Sequence, residues 1–343
     1  MKVRTAVFGA GLMGREHLRA LAQVEAAEVV AVFDPAEGAA AKAAAELGVP
    51  EAYTDLDELM KAEEPEYVVV ASPPLFHAQQ SIAAFEAGAH VLCEKPLCMD
   101  RAEADAIVAA AKKAGRLFTM GFQIRQSRVD RALKQFIAEG GLGQVYHTRV
   151  WGGHIMNYPW GRFHHRREFS FGGVMAATIV HILDAALWVL GCPEPVTVSA
   201  SCFRRLDKMP DPPINFVGGV EEVTVEDFSH AHVRFADGSS MSIDGNWLMH
   251  PTSRGMGFEV LGVLGVAKEG SAIVELERKS EIVPHELAAD PDPQDRTVAE
   301  HAEFVAAIRG QGEAQVRFAE ALAVQRILVG IYESAAQGRE VRV

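Results

Sequence analysis

Short apolar runs alternate with longer amphipathic ones through the first third of the chain. Residues 2–8, 28–33, 67–71, 89–92 and 117–121 are rich in Val, Ala, Leu and Phe with few polar breaks, the pattern of strands buried on both faces of a parallel sheet. Between them, 15–24, 39–47, 55–62, 77–87 and 102–114 carry helical patterning, and Gly48, Gly88 and Gly115 stand where helices should end. This alternation predicts a doubly wound α/β sheet, in which ligands bind beyond the carboxyl ends of the strands. From residue 123 the rhythm changes. Helices are expected over 130–139, 174–190, 298–308 and 319–337, and strands over 145–151, 197–203, 228–235, 240–247, 259–264 and 272–276. Ala236-Asp237-Gly238 is a hairpin signal, so this second sheet should be mostly antiparallel. The reading is a first domain over 1–122 and an α+β domain over 123–343.

Composition narrows the function classes. The chain has 343 residues, 49% hydrophobic and 23% charged, enough for two packed domains. Its net charge of −13 and the lack of a basic patch argue against a nucleic-acid partner. Cys93, Cys98, Cys192 and Cys202 form no CxxC pair and no zinc spacing, so free thiols in a reducing cytoplasm are expected. Met1-Lys2-Val3-Arg4 enters a strand directly, without a signal-peptide layout. The most apolar stretch, 174–190, carries His181 and Asp184, which would be costly in lipid; a buried helix is expected there, not a membrane span.

The chemistry-bearing residues fall at predicted strand ends. Gly9-Ala10-Gly11-Leu12-Met13-Gly14 follows the first strand and opens a helix, and the second strand ends in Asp34. A lone GxGxxG is a weak signal, but here the whole dinucleotide-binding fingerprint of a Rossmann fold stands in its required context. Gly9 permits the tight turn, Gly11 the close approach of backbone to a pyrophosphate, and Gly14 close helix–strand packing. The helix N-terminus at Leu12 and Met13 offers N–H groups and partial positive charge. Asp34 can accept hydrogen bonds from ribose hydroxyls and would repel a 2′-phosphate, and no Arg or Lys follows it, so NAD is favoured over NADP. Ser72 and Lys95 also lie at strand ends. Lys95, in Cys93-Glu94-Lys95-Pro96, is partly removed from water and faces the cationic nicotinamide of an oxidised cofactor, and both effects lower its pKa toward the range useful for proton transfer. His181 and Asp184 are three apart on the apolar helix and so share a face. His154 and His164-His165 lack a spaced carboxylate or cysteine partner, so no metal site is expected.

Together these segments resemble the Gfo/Idh/MocA oxidoreductases, a family that includes inositol and sugar dehydrogenases. The resemblance runs over nearly the whole chain and is carried by Gly9-x-Gly11-x-x-Gly14, Ala71-Ser72-Pro73-Pro74-x-x-His77, Glu94-Lys95-Pro96, Gly121-Phe122-Gln123, Gly172-Gly173 with His181-x-x-Asp184, and Val225-Glu226-Asp227-Phe228. It implies that Ser72, Pro73, His77, Glu94, Lys95 and Gln123 surround the nicotinamide half of the cofactor. It also implies that Lys95 and His181 face the substrate carbon, and that the second domain has an open sheet used for homodimer or homotetramer contacts. One position departs from the pattern. The family commonly carries an aspartate four residues before the histidine, and here that residue is Ala177, which cannot accept a hydrogen bond. In the preceding polar loop, Asn157, Trp160 and Arg162 are candidates to contact substrate.

Three functions compete. The leading expectation is an NAD-dependent dehydrogenase or reductase acting on a sugar, cyclitol or related polyhydroxy compound. Lys95 would transfer the proton and His181 would assist or orient. The second keeps the cofactor bound and uses transient oxidation to drive a lyase or glycosidase-like cleavage. The third is a non-catalytic cofactor-binding protein, suggested by Ala177 alone.

Overall fold

A computed structural model describes residues 1–155, 163–210, 220–249 and 255–343. Asn157, Trp160 and Arg162 lie outside the described residues. The chain divides into two units, Met1–Gln123 with Pro293–Ala321, and Ile124–Asp292 with Leu322–Val343.

The first unit alternates strand and helix: β1 (Val3–Phe8), α1 (Leu12–Leu21), β2 (Ala27–Phe33), α2 (Ala39–Leu47), β3 (Glu51–Tyr53), α3 (Leu56–Glu63), β4 (Tyr67–Val70), α4 (His77–Glu86), β5 (His90–Cys93), α5 (Arg101–Ala114) and β6 (Phe118–Met120). The six strands are parallel, in the order β3-β2-β1-β4-β5-β6. This is the expected doubly wound sheet, with its topological switch between β1 and β4. The three-residue β3 adds an edge strand that no apolar run announces. The helix ends follow local chemistry. Asp55 and Asp100 cap α3 and α5 by accepting from the backbone N–H of Glu58 and Glu103, and Gly48 and Gly115 end α2 and α5 in the left-handed conformation. Val7, Val32, Val69 and Leu92 from the sheet pack with Leu18 and Leu21 of α1 and the alanines of α2. Helix Arg296–Ile308 joins this core through Phe304 and Val305. The Phe304 ring meets Tyr67 edge-on, with centroids 5.1 Å apart.

The second unit begins with α6 (Arg128–Ala138), β7 (Val145–Ile155), α7 (Arg167–Ser170) and α8 (Val180–Val189). β8 (Pro195–Phe203), β9 (Phe228–Phe235), β10 (Ser240–Met249), β11 (Gly257–Gly262), β12 (Gly265–Lys268), β13 (Ile273–Arg278) and β14 (Glu281–Glu286) follow, with β15 (Val341–Arg342) at the end. They form a nine-stranded sheet in the order β14-β13-β12-β11-β7-β10-β9-β8-β15. Among the described pairings only β7 and β10 run parallel, so the sheet is mostly antiparallel as expected. β9 and β10 are joined by the expected hairpin, closed by a hydrogen bond from the Phe235 N–H to the Ser239 carbonyl and turned by Gly238 at φ +87°. Residues alternate buried and open along β9, which leaves one face of the sheet accessible. α8 packs against β7 and β11 on the other. The stretch Arg167–Val189 is long and apolar enough to cross a membrane, but 83% of its apolar window is buried inside the protein. It is a core helix.

Truncating Phe304 should test whether helix Arg296–Ile308 is an integral part of the first unit's core. Phe304 is 2% exposed, so Phe304→Ala should cost about 3–5 kcal/mol of unfolding free energy in urea titration. A loss below about 1 kcal/mol would contradict that packing.

Candidate functional site

The expected residues of the first unit gather at the carboxyl ends of its strands. Gly9, just after β1, has φ +100°, and a Cβ there would sit 2.7 Å from the Ala71 carbonyl oxygen just beyond β4. Only glycine lets the two chain segments pass this closely at the switch point. A Cβ at Gly14 would run into the Gly9 carbonyl, so helix α1 can leave the loop only at this residue type. Gly11 differs from both. Its φ is −72° and a Cβ there would meet no protein atom within 4 Å. No described protein atom crowds this position, so its backbone is open to close approach by a ligand. Gly11 also caps α1 without a side-chain hydrogen bond, and the first turn, with exposed Leu12 and half-buried Met13, holds no acidic residue. The N-terminus of α1 is thus suited to an anion.

Asp34 follows β2. Its Oδ2 accepts from the Ala10 N–H and its Oδ1 from the Ala36 N–H, each at 2.9 Å. It therefore fixes the glycine loop as well as standing where a ribose would need an acceptor. Beyond β4, the Ser72 hydroxyl donates to Gln80 Oε1 at 2.7 Å, and Pro73 leads into the turn that starts α4. His77 is buried, with Nε2 2.8 Å from the Ser72 carbonyl and Nδ1 2.8 Å from the Pro96 carbonyl. One ring thus ties the loop after β4 to the loop after β5. Burial lowers the His77 pKa, and the two carbonyls act against that.

Glu94 is 4% exposed. Its Oε2 accepts from the Lys95 backbone N–H at 3.1 Å, and its Oε1 from Gln123 Nε2 at 3.4 Å and from His17 Nε2 at 3.0 Å. A Cβ on Gly121 would sit 2.6 Å from that same Oε1, so the motif glycine makes room for the carboxylate. Lys95 is half-buried, and its peptide bond to Pro96 is cis. Burial lowers the pKa of its ammonium, and the Glu94 charge opposes the shift. His17 was absent from the sequence reading. Its signal is weak: a histidine three residues after Gly14, on the inward face of α1 beside Leu18 and Leu21.

The second unit presents His181 on the helix that follows Gly172-Gly173. Residues Met175–Ile179 form a π-turn leading into α8. Glu226 holds its start: the carboxylate accepts from the N–H groups of Gly173 at 2.9 Å and Met175 at 3.1 Å and from the Tyr332 hydroxyl at 2.9 Å. Thr178 accepts from the Trp247 indole at 2.7 Å. From Phe171 to Val189, Ala177 and His181 are the partly exposed residues. Asp184 does not share that stripe. It is fully buried and takes two bonds from Arg125, at 2.8 and 2.7 Å. The spacing rule that joined it to His181 gives way to an ion pair from a distant segment.

The chain matches two family models. Residues 3–122 fit the oxidoreductase family model described as an NAD-binding Rossmann fold, and residues 131–268 fit the GFO/IDH/MocA C-terminal domain. It is 32% identical over 206 residues to D-glucoside 3-dehydrogenase of Escherichia coli, covering 60% of this chain and 58% of that one. It is 35% identical over 188 residues to inositol 2-dehydrogenase of Streptomyces avermitilis, covering 54% and 52%. The matches thus span little more than half the length of these curated relatives. A solved structure of levoglucosan dehydrogenase, in complex with NADH and levoglucosan, has the same fold, with TM-score 0.85, 22% identity and full coverage of both chains. With family models covering both parts of the chain, and the glycine loop, Asp34 and Glu94-Lys95 set as described, the protein belongs to the Gfo/Idh/MocA oxidoreductase family.

Proposed function

We propose that the chain is an NAD-dependent dehydrogenase or reductase acting on the CH–OH group of a sugar, cyclitol or related polyhydroxy compound. The observation that carries this reading is a half-buried lysine, lowered in pKa, placed among Ser72, His77, Glu94 and Gln123 at the end of the sheet that bears the glycine loop. Gly9, Gly11, Leu12, Met13, Gly14 and Asp34 would hold the adenine-nucleotide half of NAD, and Ser72, Pro73, His77, Glu94, Lys95 and Gln123 the other half. Bound nicotinamide supplies the two-electron chemistry, taking or giving hydride. Lys95 Nζ takes the proton of the substrate hydroxyl in oxidation and returns it in reduction. His181 assists or orients, and Trp160 and Arg162 are proposed to contact substrate.

Ala177 favours a second reading. It lies on the accessible stripe beside His181 and offers no acceptor. An enzyme that retains NAD and uses transient oxidation to drive elimination or glycoside cleavage would turn substrate over without net NADH.

The chain is also proposed to be a cytoplasmic homodimer or homotetramer assembled through the open face of the second sheet. Four free thiols fit a reducing compartment. His147, Arg149, His232, Arg234 and Asp244 project from the accessible face, leaving the apolar positions of these strands inward. Sedimentation equilibrium should give at least twice the 37.1 kDa chain mass; a single-chain mass overturns the assembly.

Following nicotinamide absorbance against a panel of sugars and cyclitols tests the activity. Oxidation needs the free amine of Lys95, so its rate should rise with pH through a midpoint below the ordinary lysine value. Lys95→Ala should lose about 100- to 10,000-fold in turnover while still binding NADH. Full activity in that variant removes Lys95 from the reaction, and product without net NADH selects the second reading.

Fluorescence titration tests the cofactor preference. The carboxylate of Asp34 repels a 2′-phosphate, so NADPH should bind about tenfold or more weakly than NADH. Equal affinities would show that Asp34 serves only the glycine loop.

A further inference from the structure

Three buried polar side chains of the first unit have no part in the proposed chemistry. Tyr67, His17 and His301 are each fully buried. They lie in series behind Glu94. The Tyr67 hydroxyl is 2.7 Å from His301 Nδ1, His301 Nε2 is 3.0 Å from His17 Nδ1, and His17 Nε2 is 3.0 Å from Glu94 Oε1.

With Glu94 ionised, the bonding has one solution with uncharged rings. A carboxylate oxygen only accepts, so His17 Nε2 carries a proton and donates it to Glu94. His17 Nδ1 is then the acceptor, and His301 Nε2–H donates to it. His301 Nδ1 is left to accept, and the Tyr67 hydroxyl points its proton there. Among the described residues that nitrogen is the bonded partner of the Tyr67 hydroxyl. The reverse direction would give His301 Nδ1 the proton, leave the hydroxyl's own proton without that acceptor, and require a second proton on His17. A buried hydroxyl proton without an acceptor is costly.

We propose that Tyr67, His301 and His17 form a directed, uncharged donor chain that keeps Glu94 ionised and in one orientation beside Lys95. His17 is a positioning residue that acts through the carboxylate and not on substrate or cofactor. The inference rests on the reading of Lys95 as the proton-transfer group. Its logic is electrostatic. Glu94 bonds to the backbone N–H of Lys95, and its charge supports the lysine ammonium against burial. A cation at His17 would cancel that support, whereas a neutral donor stabilises the carboxylate without cancelling it. Burial holds His301 well below its ordinary pKa and Tyr67 well above, so both stay uncharged around neutrality. Among the described residues, His77 on α4 and the Cys93 thiol, one residue before Glu94, also feel the Glu94 charge, and Glu300, one residue before His301, acts on Tyr67. Each remains unchanged in a His17 variant.

Two measurements test the chain, and neither needs a substrate. Long-range proton–nitrogen NMR of the intact protein should show His17 and His301 protonated at Nε2 only at neutral pH. A proton on Nδ1 of either ring overturns the direction. Competitive acetic anhydride labelling, read by mass spectrometry across pH, gives the titration midpoint of Lys95. In His17→Leu the carboxylate loses one of its donors and ionises less readily, so the Lys95 midpoint should fall by about one pH unit. His17→Gln, whose amide can still donate to Glu94, should restore the wild-type midpoint. A folded His17→Leu protein with the wild-type midpoint overturns the proposal, and so does His17→Gln shifting as far as His17→Leu. Should His17→Leu not fold, the His17→Gln midpoint and the NMR assignment decide alone. Failure of every sugar and cyclitol to turn over would sink the proposed function and leave these titrations as they are.

Discussion

A buried carboxylate has to be surrounded by donors, and Glu94 draws its donors from three parts of the first unit. His17 reaches it from α1, the Lys95 N–H from the segment after β5, and Gln123 from the segment after β6. Gly121 gives up a side chain to leave it space. Leaving such a group unpaired costs several kcal/mol, so these segments are held together strongly. The lysine that follows is positioned as a consequence. It sits where a strand ends, half in and half out of solvent, with its charge balance set by the residue before it.

The second unit uses the same device at a helix start. The backbone N–H groups ahead of the π-turn have no partners within the helix. Glu226 supplies acceptors for Gly173 and Met175 while Tyr332 donates to it. A Cβ on Gly173 would collide with the Glu226 carbonyl, so the glycine pair before the helix is a packing requirement. Arg125 closes on Asp184 further along. With a carboxylate at one end and an ion pair at the other, the helix is fixed about its axis, and the accessible stripe it keeps carries Ala177 and His181.

What could be read in the sequence was what local pattern encodes. The parallel strands are continuous apolar runs, the helices end at glycines, and the dinucleotide loop is six adjacent residues. Strand ends follow from these, so the placement of Gly9, Asp34, Ser72 and Lys95 on one side of the sheet was legible in the sequence. β3, β12, β14 and β15 were not, because they are short or exposed and their pairing comes from neighbours rather than from an apolar face. The partners of Asp184 and Glu94 were not legible either. Arg125 lies 59 residues from Asp184 and His17 lies 77 from Glu94, and no periodicity reports a contact at that range. The i,i+3 rule placed Asp184 with His181 because it knows only the helix, and the desolvated ion pair outweighs it. Asp34 shows the intermediate case: its position was legible, but its bond to the Ala10 N–H appears only once the loop is folded.

Ala177 bears on how the proposed chemistry is balanced. A carboxylate at that position would add an acceptor to the accessible stripe that carries His181, and an alanine adds none. On the proposed function, the charge that Lys95 feels depends on Glu94, a residue of its own unit, and on the donors that Glu94 draws. In the proposed donor chain, uncharged imidazoles and a tyrosine hydroxyl suit that role better than a cation would. They supply a proton to the carboxylate's lone pair without supplying a charge. The buried donors behind Glu94 therefore bear on one quantity, the fraction of Lys95 that is free amine near neutral pH.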